Sequence, residues 1–298
     1  MEKIHKSGFV NIIGNPNVGK STLMNALLGE RMSIITNKPQ TTRHRIIGIW
    51  NDEEYQIVFS DTPGIIQDPH YKMQESMNHY AFSTFEDADV MIYMTDVLED
   101  QEINEKLHNR LKNLEAPLFL LINKVDLSKQ DRVKEVINFW KNNLSFSNIF
   151  PISALEKQGV NHVLEEVQKA LPEGPPYYPK DQLTDKSERF FVSEIIREKI
   201  LELYHQEVPY SCQVIIESFK EGEARSGKII RISADIYVSR KTQKSIIIGK
   251  GGSMIKKLGT EARKSIEEFL EEKIFLELRV KVKDNWRDDE RLLKHFGY

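Results

Sequence analysis

Short apolar runs alternate with helical patterns in the first part of the 298-residue chain, over residues 8–171. Each run is followed by a stretch whose apolar residues recur at helical spacing, and the runs are GFVNII, YQIVFS, DVMIYMTDV, PLFLLIN and NIFPISA. Near-continuous apolar strands between helices are typical of a mostly parallel sheet that is covered on both faces. The pattern therefore predicts an α/β domain over residues 1–172.

A different pattern follows. Residues 171–185 contain four prolines and a glycine, which is typical of a linker of limited flexibility, and we place this linker at 173–186. Beyond it, the spacing predicts a helix over 188–206, two alternating strands around a turn (CQVIIESFKEG and KIIRISADIYV), a helix over 253–271 and a strand in FLELRVKV. We expect a second, α+β domain over 187–298, with WRDDERLLKHFGY packed as a terminal helix.

Charge divides the chain in a similar way. Residues 1–179 hold 18 Lys and Arg against 24 Asp and Glu, whereas residues 180–298 hold 24 against 21. The net charge of −3 therefore averages an acidic half and a mildly basic half. The single cysteine, Cys212, allows no internal disulfide, and we expect it to be buried.

The stretch MEKIHKSG lacks the apolar core of a signal peptide, and no apolar run approaches the ~20 residues that span a bilayer. We therefore expect a cytoplasmic protein, and a monomer.

The stretch GNPNVGKST, residues 14–22, has the spacing of a phosphate-binding loop between a strand and a helix. Gly14 and Gly19 allow backbone N–H groups to turn towards phosphate oxygens. Lys20 supplies a charge to the β- and γ-phosphates, and the Ser21 hydroxyl can bind Mg²⁺. The remaining nucleotide-binding candidates in this loop are Asn15, Asn17, Val18 and Thr22.

A second motif predicts that the nucleotide is a guanine nucleotide. NKVD, residues 123–126, directly follows an apolar strand and so lies at the carboxyl edge of the sheet. Asp126 can accept hydrogen bonds from N1–H and N2–H₂ of guanine, Asn123 can tie this loop to the phosphate loop, and the Lys124 stem can lie over the base. Backbone N–H groups of ISA, residues 152–154, complete the base site with Ser153 and Ala154.

Two further stretches predict metal and γ-phosphate contacts. In DTPG, residues 61–64, Asp61 is placed to hold Mg²⁺ through water, and the Gly64 N–H to sense the γ-phosphate. The polar stretch NKPQTTRHR, residues 37–45, is expected to be bracketed by strands. One of its threonines should close over Mg²⁺; we favour Thr42, with Thr41 as the alternative. The predicted catalytic set is Lys20, Thr42, Asp61 and Gly64.

In the second domain, GKGG at 249–252 lies between an apolar, strand-like run and a helix, and has the form of the G-x-x-G loop of a KH domain. Lys250 would attract RNA phosphates, and Ile248 and Ile255 would line an apolar groove for bases. Residues 240–264 hold eight basic side chains and one acid, Glu261. The other RNA-binding candidates are Gly249, Gly251, Gly252, Lys256 and Lys257. A tight turn beside a solvated basic helix is the alternative interpretation.

The five nucleotide-site stretches together resemble the GTPases of the translation-factor-like superfamily. Ras-like members place a glutamine after the DxxG glycine to orient the attacking water, whereas this chain has Ile65. Hydrolysis should therefore be slow unless it is assisted. In a subset of similar GTPases, an asparagine at the position of Asn17 helps to bind a potassium ion that stands in for an arginine finger. The resemblance implies that role for Asn17.

A GTPase domain joined by a short linker to such a KH domain is similar, nearly end to end, to the Era GTPases. The resemblance includes GNPNVGKST, PQTTRHRI, DTPG, NKVD and IIGKGG. It implies Mg²⁺-dependent hydrolysis of GTP to GDP, binding of a single strand near the 3′ end of small-subunit ribosomal RNA, a role in assembly of the small ribosomal subunit, and partial association with the inner face of the membrane. The residues themselves indicate only RNA binding coupled to a guanine-nucleotide switch. The alternative function is a signalling GTPase whose basic C-terminal domain binds membrane or protein.

Overall fold

The computed structural model describes residues 5–224 and 227–298, and these form two compact units. The first unit holds the described residues up to Pro69 together with Gln74–Asp185. The second unit holds His70–Met73 and Lys186–Tyr298.

The first unit is built on a six-stranded sheet with the order β2-β3-β1-β4-β5-β6. Neighbouring strands are parallel except for the antiparallel pair β2–β3, which confirms the predicted mostly parallel α/β sheet. The strands are β1 (Lys6–Gly14), β2 (Ile46–Asn51), β3 (Tyr55–Asp61), β4 (Val90–Asp96), β5 (Leu118–Asn123) and β6 (Asn148–Pro151). The helices are α1 (Lys20–Leu28), α2 (Lys72–Ser83, of which Gln74–Ser83 belong to this unit), α3 (Glu105–Lys112), α4 (Gln130–Asn143) and α5 (Val160–Ala170).

The central strands explain the continuous apolar runs in the sequence. Every residue of β4 and β5 is buried. Met91 and Tyr93 join a core cluster with side chains from α3 and α4, and Ile92 between them faces the opposite side because side chains alternate along a strand. Both faces of the sheet are therefore covered. The loops after β1, β3, β4, β5 and β6 meet at one edge, where the strands end.

The proline-rich segment that precedes residue 186 packs on the first unit. The buried side chain of Gln56 accepts hydrogen bonds from the backbone N–H groups of Tyr177 and Tyr178 at 2.6 and 2.9 Å and donates one to the Tyr178 carbonyl at 2.8 Å. The Ile49 N–H donates to the carbonyl of Leu183 at 2.8 Å, on the outer strand β2. The stretch predicted as a linker thus lies along the sheet up to Asp185.

The second unit has a three-stranded sheet with the order β7-β8-β9. Strands β7 and β8 are antiparallel, and β8 and β9 are parallel. The turn predicted between the first two strands falls at residues 225–226, outside the described residues. Cys212 is fully buried, as predicted. The elements are α6 (Glu188–Leu203), β7 (Gln213–Ala224), β8 (Gly227–Val238), α7 (Lys241–Ile248), α8 (Ser253–Leu270), β9 (Ile274–Val282) and α9 (Glu290–His295).

The prediction of a strand-like run before GKGG is wrong, because Lys241–Ile248 forms helix α7. Its start is fixed by Gln243, whose side-chain oxygen accepts hydrogen bonds from the backbone N–H groups of Ser239 and Arg240, both at 3.0 Å. Ile247 is fully buried, whereas Ile246 is half-exposed. A short apolar run does not distinguish a strand from a helix by its periodicity.

The predicted strand before residues 37–45 is also absent, since residues 30–45 form neither helix nor strand. The side chain of Asn25 in α1 bonds to backbone groups of this segment that a strand would pair with a neighbouring strand. Its side-chain oxygen accepts hydrogen bonds from the N–H groups of Met32 and Ser33, both at 2.9 Å, and its amide donates to the Ser33 carbonyl at 2.8 Å. Only the strand on the C-terminal side, β2, is present. No helix within 5–224 and 227–298 is long and apolar enough to cross a membrane.

A nucleotide cleft and a candidate RNA groove

A cleft of about 500 Å³ opens at the carboxyl edge of the first unit's sheet. All five predicted nucleotide-site stretches contribute to its lining. The lining residues predicted from the sequence are Asn17, Gly19, Lys20, Ser21, Thr22, Thr42, Gly64, Asn123, Lys124, Asp126 and Ser153.

The two glycines of the phosphate-binding loop are required by close approach. A Cβ atom on Gly14 would lie 2.1 Å from the carbonyl oxygen of Met94. At Gly19, where φ is 103°, a Cβ atom would lie 2.3 Å from Nδ2 of Asn123. No side chain fits at either position without moving the neighbouring loop.

The Lys20 amine folds back over this loop. Its Nζ donates hydrogen bonds to the carbonyl oxygens of Gly14 at 3.1 Å and Asn15 at 2.8 Å. Burial lowers the pKa of Lys20 to about 8, against the opposing charges of Asp61 and Glu99. Asn17 stands in the left-handed conformation, with φ of 66°, and its amide donates to the Asn37 carbonyl at 3.4 Å.

Three oxygen side chains meet beside the loop. The Ser21 hydroxyl donates to Oδ2 of Asp61 at 2.6 Å and lies 2.9 Å from the Thr42 hydroxyl, which is itself 3.3 Å from the same carboxylate oxygen. Burial raises the pKa of Asp61, against the hydrogen bond from Ser21 and the charge of Lys20. The Thr41 hydroxyl instead donates to the Lys38 carbonyl at 2.6 Å.

This donor set fits Mg²⁺, which prefers hard oxygen ligands and keeps several waters. The second carboxylate oxygen of Asp61, Oδ1, is buried and makes no hydrogen bond to a described residue. Among the described residues there is no cluster of three His, Cys, Asp or Glu side chains that could hold a metal ion. The structure thus brings together two hydroxyls and one carboxylate, from the three residues that the sequence analysis proposed as Mg²⁺ ligands.

Gly64 lies against the phosphate-binding loop. A Cβ atom there would approach the backbone N and Cα of Pro16 to 2.6 Å. The next N–H group, of Ile65, donates to the Gly14 carbonyl at 3.2 Å. The Ile65 side chain is buried in the core cluster beneath the sheet's edge, so this position presents no polar group to a water molecule.

Asn123 joins the base loop to the phosphate loop, as the sequence predicted. Its amide Nδ2 donates to the Val18 carbonyl at 2.8 Å, and its oxygen accepts from the Ala154 N–H at 2.9 Å. Lys124 has φ of 61°, and its amine forms an ion pair with Asp96. The exposed Asp126 lines the cleft.

The cleft has an apolar rim that no sequence motif indicated. Leu98, Leu127 and Leu155 are 58, 62 and 74% exposed, and all three line it. Single exposed leucines carry no signal in a sequence, since an apolar residue after a strand reads as part of the core. Here each follows a strand end and faces the cleft.

The GKGG loop of the second unit is a turn with three left-handed glycines: φ is 73° at Gly249, 59° at Gly251 and 79° at Gly252. Cβ atoms on Gly251 and Gly252 would meet no atom within 4 Å. These two positions therefore need glycine for their backbone angles, and they leave open space above the loop. Lys250 is exposed beside them.

A groove of about 410 Å³ lies between α8 and the sheet-edge strand β9. Of the predicted residues, Ile255 and Lys256 line it, whereas Ile248 packs against the core and Lys257 is exposed elsewhere on α8. The groove also contains residues that no motif indicated: Gly259, Thr260, Arg263, Phe275, Leu276 and Leu278.

Family models match both units. Residues 9–124 match a family described as 50S ribosome-binding GTPase, and residues 207–287 match the KH domain. The fold and the cleft thus define a GTP-hydrolysing P-loop GTPase that carries a KH domain. GTPase Era of Syntrophus aciditrophicus (strain SB) is 48% identical over 98% of this chain and 95% of its own length. The chain belongs to the Era family of GTPases, which confirms the resemblance seen in its motifs.

Two solved structures agree with this assignment over nearly the whole chain. Era in complex with MgGDPNP and nucleotides 1506–1542 of 16S ribosomal RNA has a TM-score of 0.92 and 38% identity, covering 99% of each chain. A variant of Aquifex aeolicus Era bound to GDP.AlF4− also has a TM-score of 0.92 and 38% identity, covering 98% of this chain and 99% of that one.

Proposed function

We propose that this GTPase binds single-stranded RNA near the 3′ end of small-subunit ribosomal RNA and acts in assembly of the small ribosomal subunit. The observation that carries the proposal is the groove of α8 and β9, which has an apolar floor and basic residues at its rim. The open glycine loop directly precedes α8. The relative solved with 16S ribosomal RNA matches this chain over 99% of its length.

The residues divide the work of RNA binding by their chemistry. The open backbone at Gly251 and Gly252 allows a sugar–phosphate chain to approach closely, and Lys250 attracts its phosphates. Ile255 and the half-exposed ring of Phe275 supply apolar surface on which bases can stack. Lys256 and Arg263, which line the groove, can attract further phosphates. Ile248, which packs against the core, and Lys257, which lies outside the groove, are not assigned a contact with RNA.

RNA affinity, measured by fluorescence anisotropy at fixed salt, tests the proposal. The probe is a single strand of about 12 nucleotides copying the 3′ end of small-subunit ribosomal RNA, against a scrambled strand. Each is titrated with GDP and with a non-hydrolysable GTP analogue. We expect selective binding that is stronger with the analogue, and an equal gain in analogue affinity when RNA is present, because linkage is reciprocal. Equal binding of both strands with a steep salt dependence would reduce the site to a phosphate binder.

A paired substitution locates the site. Gly251→Asp/Lys250→Ala adds a negative charge to the open loop and removes its lysine, and we expect it to abolish RNA binding and leave nucleotide binding intact. Lys134→Ala, which removes an exposed lysine on α4 of the other unit, is the matched control. RNA affinity retained by the double variant would place the site elsewhere.

A second candidate target is the large ribosomal subunit, because the family model that matches residues 9–124 is described as 50S ribosome-binding. Co-sedimentation with purified 30S and 50S subunits separates the two. Retention on 50S alone would overturn assignment to the small subunit.

For hydrolysis, we assign Ser21, Thr42 and Asp61 to Mg²⁺, which when bound neutralises phosphate charge. The Lys20 amine and the backbone of Asn15, Asn17, Val18, Gly19 and Thr22 cradle the phosphates. We assign the Gly64 N–H as a donor to the γ-phosphate. Asp126 accepts from guanine N1–H and N2–H₂, with Asn123, Lys124, Ser153 and Ala154 shaping the base site.

We also assign Asn17 to a potassium ion. Since Ile65 offers no polar group to the attacking water, we expect hydrolysis to depend on another charge. Rates in KCl should exceed those in NaCl by ~10-fold or more, equivalent to at least ~1.4 kcal/mol of activation free energy. Asn17→Ala should remove the difference. Equal rates in the two salts would contradict the assignment.

We place the protein in the cytoplasm, with a fraction bound peripherally to the inner membrane through its basic residues, and we expect a monomer. Flotation with vesicles containing anionic lipids, at low and high salt, tests the membrane fraction. Protein that stays unbound at low salt would exclude it.

A further inference from the structure

Residues 96–101, which we call loop 96–101, run from the last residue of β4 into the connection to α3. This loop lies against the nucleotide cleft and belongs to none of the sequence motifs. It follows the carboxyl end of β4, between the phosphate loop after β1 and the base loop after β5. Leu98 of this loop lines the cleft. Its two buried or half-buried acids, Asp96 and Glu99, have no role in the hydrolysis described above.

Glu99 contacts the phosphate-binding loop through Asn15. Its Oε2 accepts a hydrogen bond from Nδ2 of Asn15 at 3.2 Å, and its Oε1 accepts one from the Thr95 hydroxyl. The carbonyl of Asn15 in turn accepts from the Lys20 amine at 2.8 Å. Asn15 is therefore held on one side by Glu99 and on the other by Lys20.

Asp96 contacts the base loop in a parallel way. Its Oδ2 pairs with the Lys124 amine, and its Oδ1 accepts hydrogen bonds from the N–H groups of Leu98 at 2.8 Å and Glu99 at 3.0 Å. One short loop thus touches both halves of the nucleotide site.

Helix α4 holds the loop in place. Arg132 donates from Nε to the Val97 carbonyl at 3.1 Å and from a guanidinium NH₂ to the Glu99 carbonyl at 3.0 Å. The Trp140 indole N–H donates to the side-chain oxygen of Gln101 at 2.6 Å. The backbone that carries Glu99 is therefore anchored, and its carboxylate can orient a neighbour.

We propose that loop 96–101 is a structural part of the nucleotide site, in which Glu99 is a positioning residue that orders the phosphate-binding loop through Asn15. The inference rests on the GTP site described above and deepens it. A loop ordered before the ligand arrives loses less conformational entropy on binding. The spacing of the phosphate-loop motif leaves the Asn15 position open, and the structure gives this side chain a specific partner.

A double-mutant cycle tests this route. Association and dissociation rates of a fluorescent GDP and a fluorescent GTP analogue are measured for the full chain, for Glu99→Ala, for Asn15→Ala and for the double variant. Each single change should weaken binding by about 10-fold, as expected for loss of a hydrogen bond to a charged group. The double variant should bind no more weakly than the weaker single variant, because both changes remove the same contact. Additive losses, or an unchanged Glu99→Ala, would overturn the proposal.

Two further variants separate positioning from charge and from stability. Glu99→Gln keeps an acceptor oxygen of the same reach, so it should restore binding to within about threefold of the natural chain. A loss as large as that of Glu99→Ala would mean that the carboxylate acts through its charge on Lys20, which also overturns the route through Asn15. Asp100→Asn changes the charge of an exposed neighbour in the same loop and should leave the rates unchanged. Melting temperatures measured alongside identify any variant that is merely unfolded, and nucleotide binding by the natural chain tests the GTP site independently of all five variants.

Discussion

The nucleotide cleft and the candidate RNA groove of this chain are built in opposite ways. In the cleft, Lys20, Thr42 and Asp61 are buried. Lys20 donates a hydrogen bond to the Gly14 carbonyl, and Asp61 accepts hydrogen bonds from Ser21 and Thr42. In the groove, Lys256 of helix α8 and Phe275 of the edge strand β9 are exposed. A buried, hydrogen-bonded site discriminates one ligand sharply, because any mismatch leaves polar groups unpaired. An exposed groove with a basic rim gives affinity that is spread over many weak contacts.

The largest expected effect of a single substitution is in the base site. Asp126→Asn replaces one of the two carboxylate oxygens that we propose accept from guanine N1–H and N2–H₂ with an NH₂ donor. Two donors then face each other at guanine N2, so GTP affinity should fall by about 10³-fold or more. Xanthine carries a carbonyl where guanine has its amine, so the new amide can donate to it and XTP binding should appear. RNA affinity without nucleotide should not change.

Titration with fluorescent GTP and XTP measures both effects. Asp131→Asn on α4, an exposed acid outside the cleft, is the control. A variant that loses GTP and gains no XTP would indicate a damaged loop, and unchanged GTP affinity would refute the role of Asp126.

The next effect separates glycines that are needed for space from those needed for backbone angles. Gly64→Ala would place a Cβ 2.6 Å from backbone atoms of Pro16, and a shift of about 1 Å in the phosphate loop should reduce hydrolysis about 100-fold. Gly29→Ala, where φ is 75° and no atom lies within 4 Å, should cost about 1 kcal/mol of stability through backbone strain and leave hydrolysis unchanged. Single-turnover hydrolysis and thermal melts compare the two; equal effects on hydrolysis would contradict the distinction.

The same contrast explains what the sequence could predict. Phosphate and guanine chemistry demands fixed residue types at fixed spacing, so Ser21, Asp61 and Asn123 could be found from motifs alone. Thr42 could be favoured from the motif, but Thr41 stayed an alternative, since the direction of each hydroxyl depends on how residues 30–45 fold. The structure brings the Thr42 hydroxyl to Ser21 and Asp61 and turns that of Thr41 towards Lys38.

The second unit was harder to predict because most of its groove is set by tertiary packing and only its glycine loop by a motif. The GKGG loop could be recognised in the sequence because only glycine readily adopts the backbone angles that it needs. Phe275, Leu276 and Leu278 of β9 line the groove because β9 packs beside α8. The spacing of residues along the sequence does not indicate this tertiary contact. Helix α7 was predicted as a strand because Ser245 is followed by three isoleucines, which favour β-strands. The hydrogen bond from the Arg240 N–H to the Gln243 side chain, which caps the helix, is visible only in the structure.

A pH dependence follows from the burial of the Lys20 amine. Burial lowers its pKa to about 8 from 10.5, and phosphate oxygens bind the protonated amine. Below pH 8 the amine is already charged, so nucleotide affinity should be flat. Above pH 8 binding must take up a proton, and the affinity should fall by up to about 10-fold per pH unit.

GDP affinity measured between pH 7 and 9 checks the direction. In Lys20→Arg the guanidinium stays charged throughout this range, so its weaker affinity should show no such fall. A decline of equal slope in both proteins would assign the effect to another group. RNA affinity of the nucleotide-free chain should lack this dependence.

The smallest expected effect is in the groove, because the free energy of RNA binding there is spread over many contacts and one substitution removes only one of them. Phe275→Ala removes a half-exposed ring at the groove's edge, and loss of one stacking partner should weaken RNA binding by about 5- to 10-fold. The salt dependence of RNA binding should stay the same, because no phosphate contact is lost. Glu277→Gln, on the same strand and exposed, should change affinity slightly through charge alone. If Phe275→Ala instead altered the salt slope and left affinity at low salt unchanged, the ring would act by shaping the charged rim, and the apolar floor of the groove would not be where bases stack.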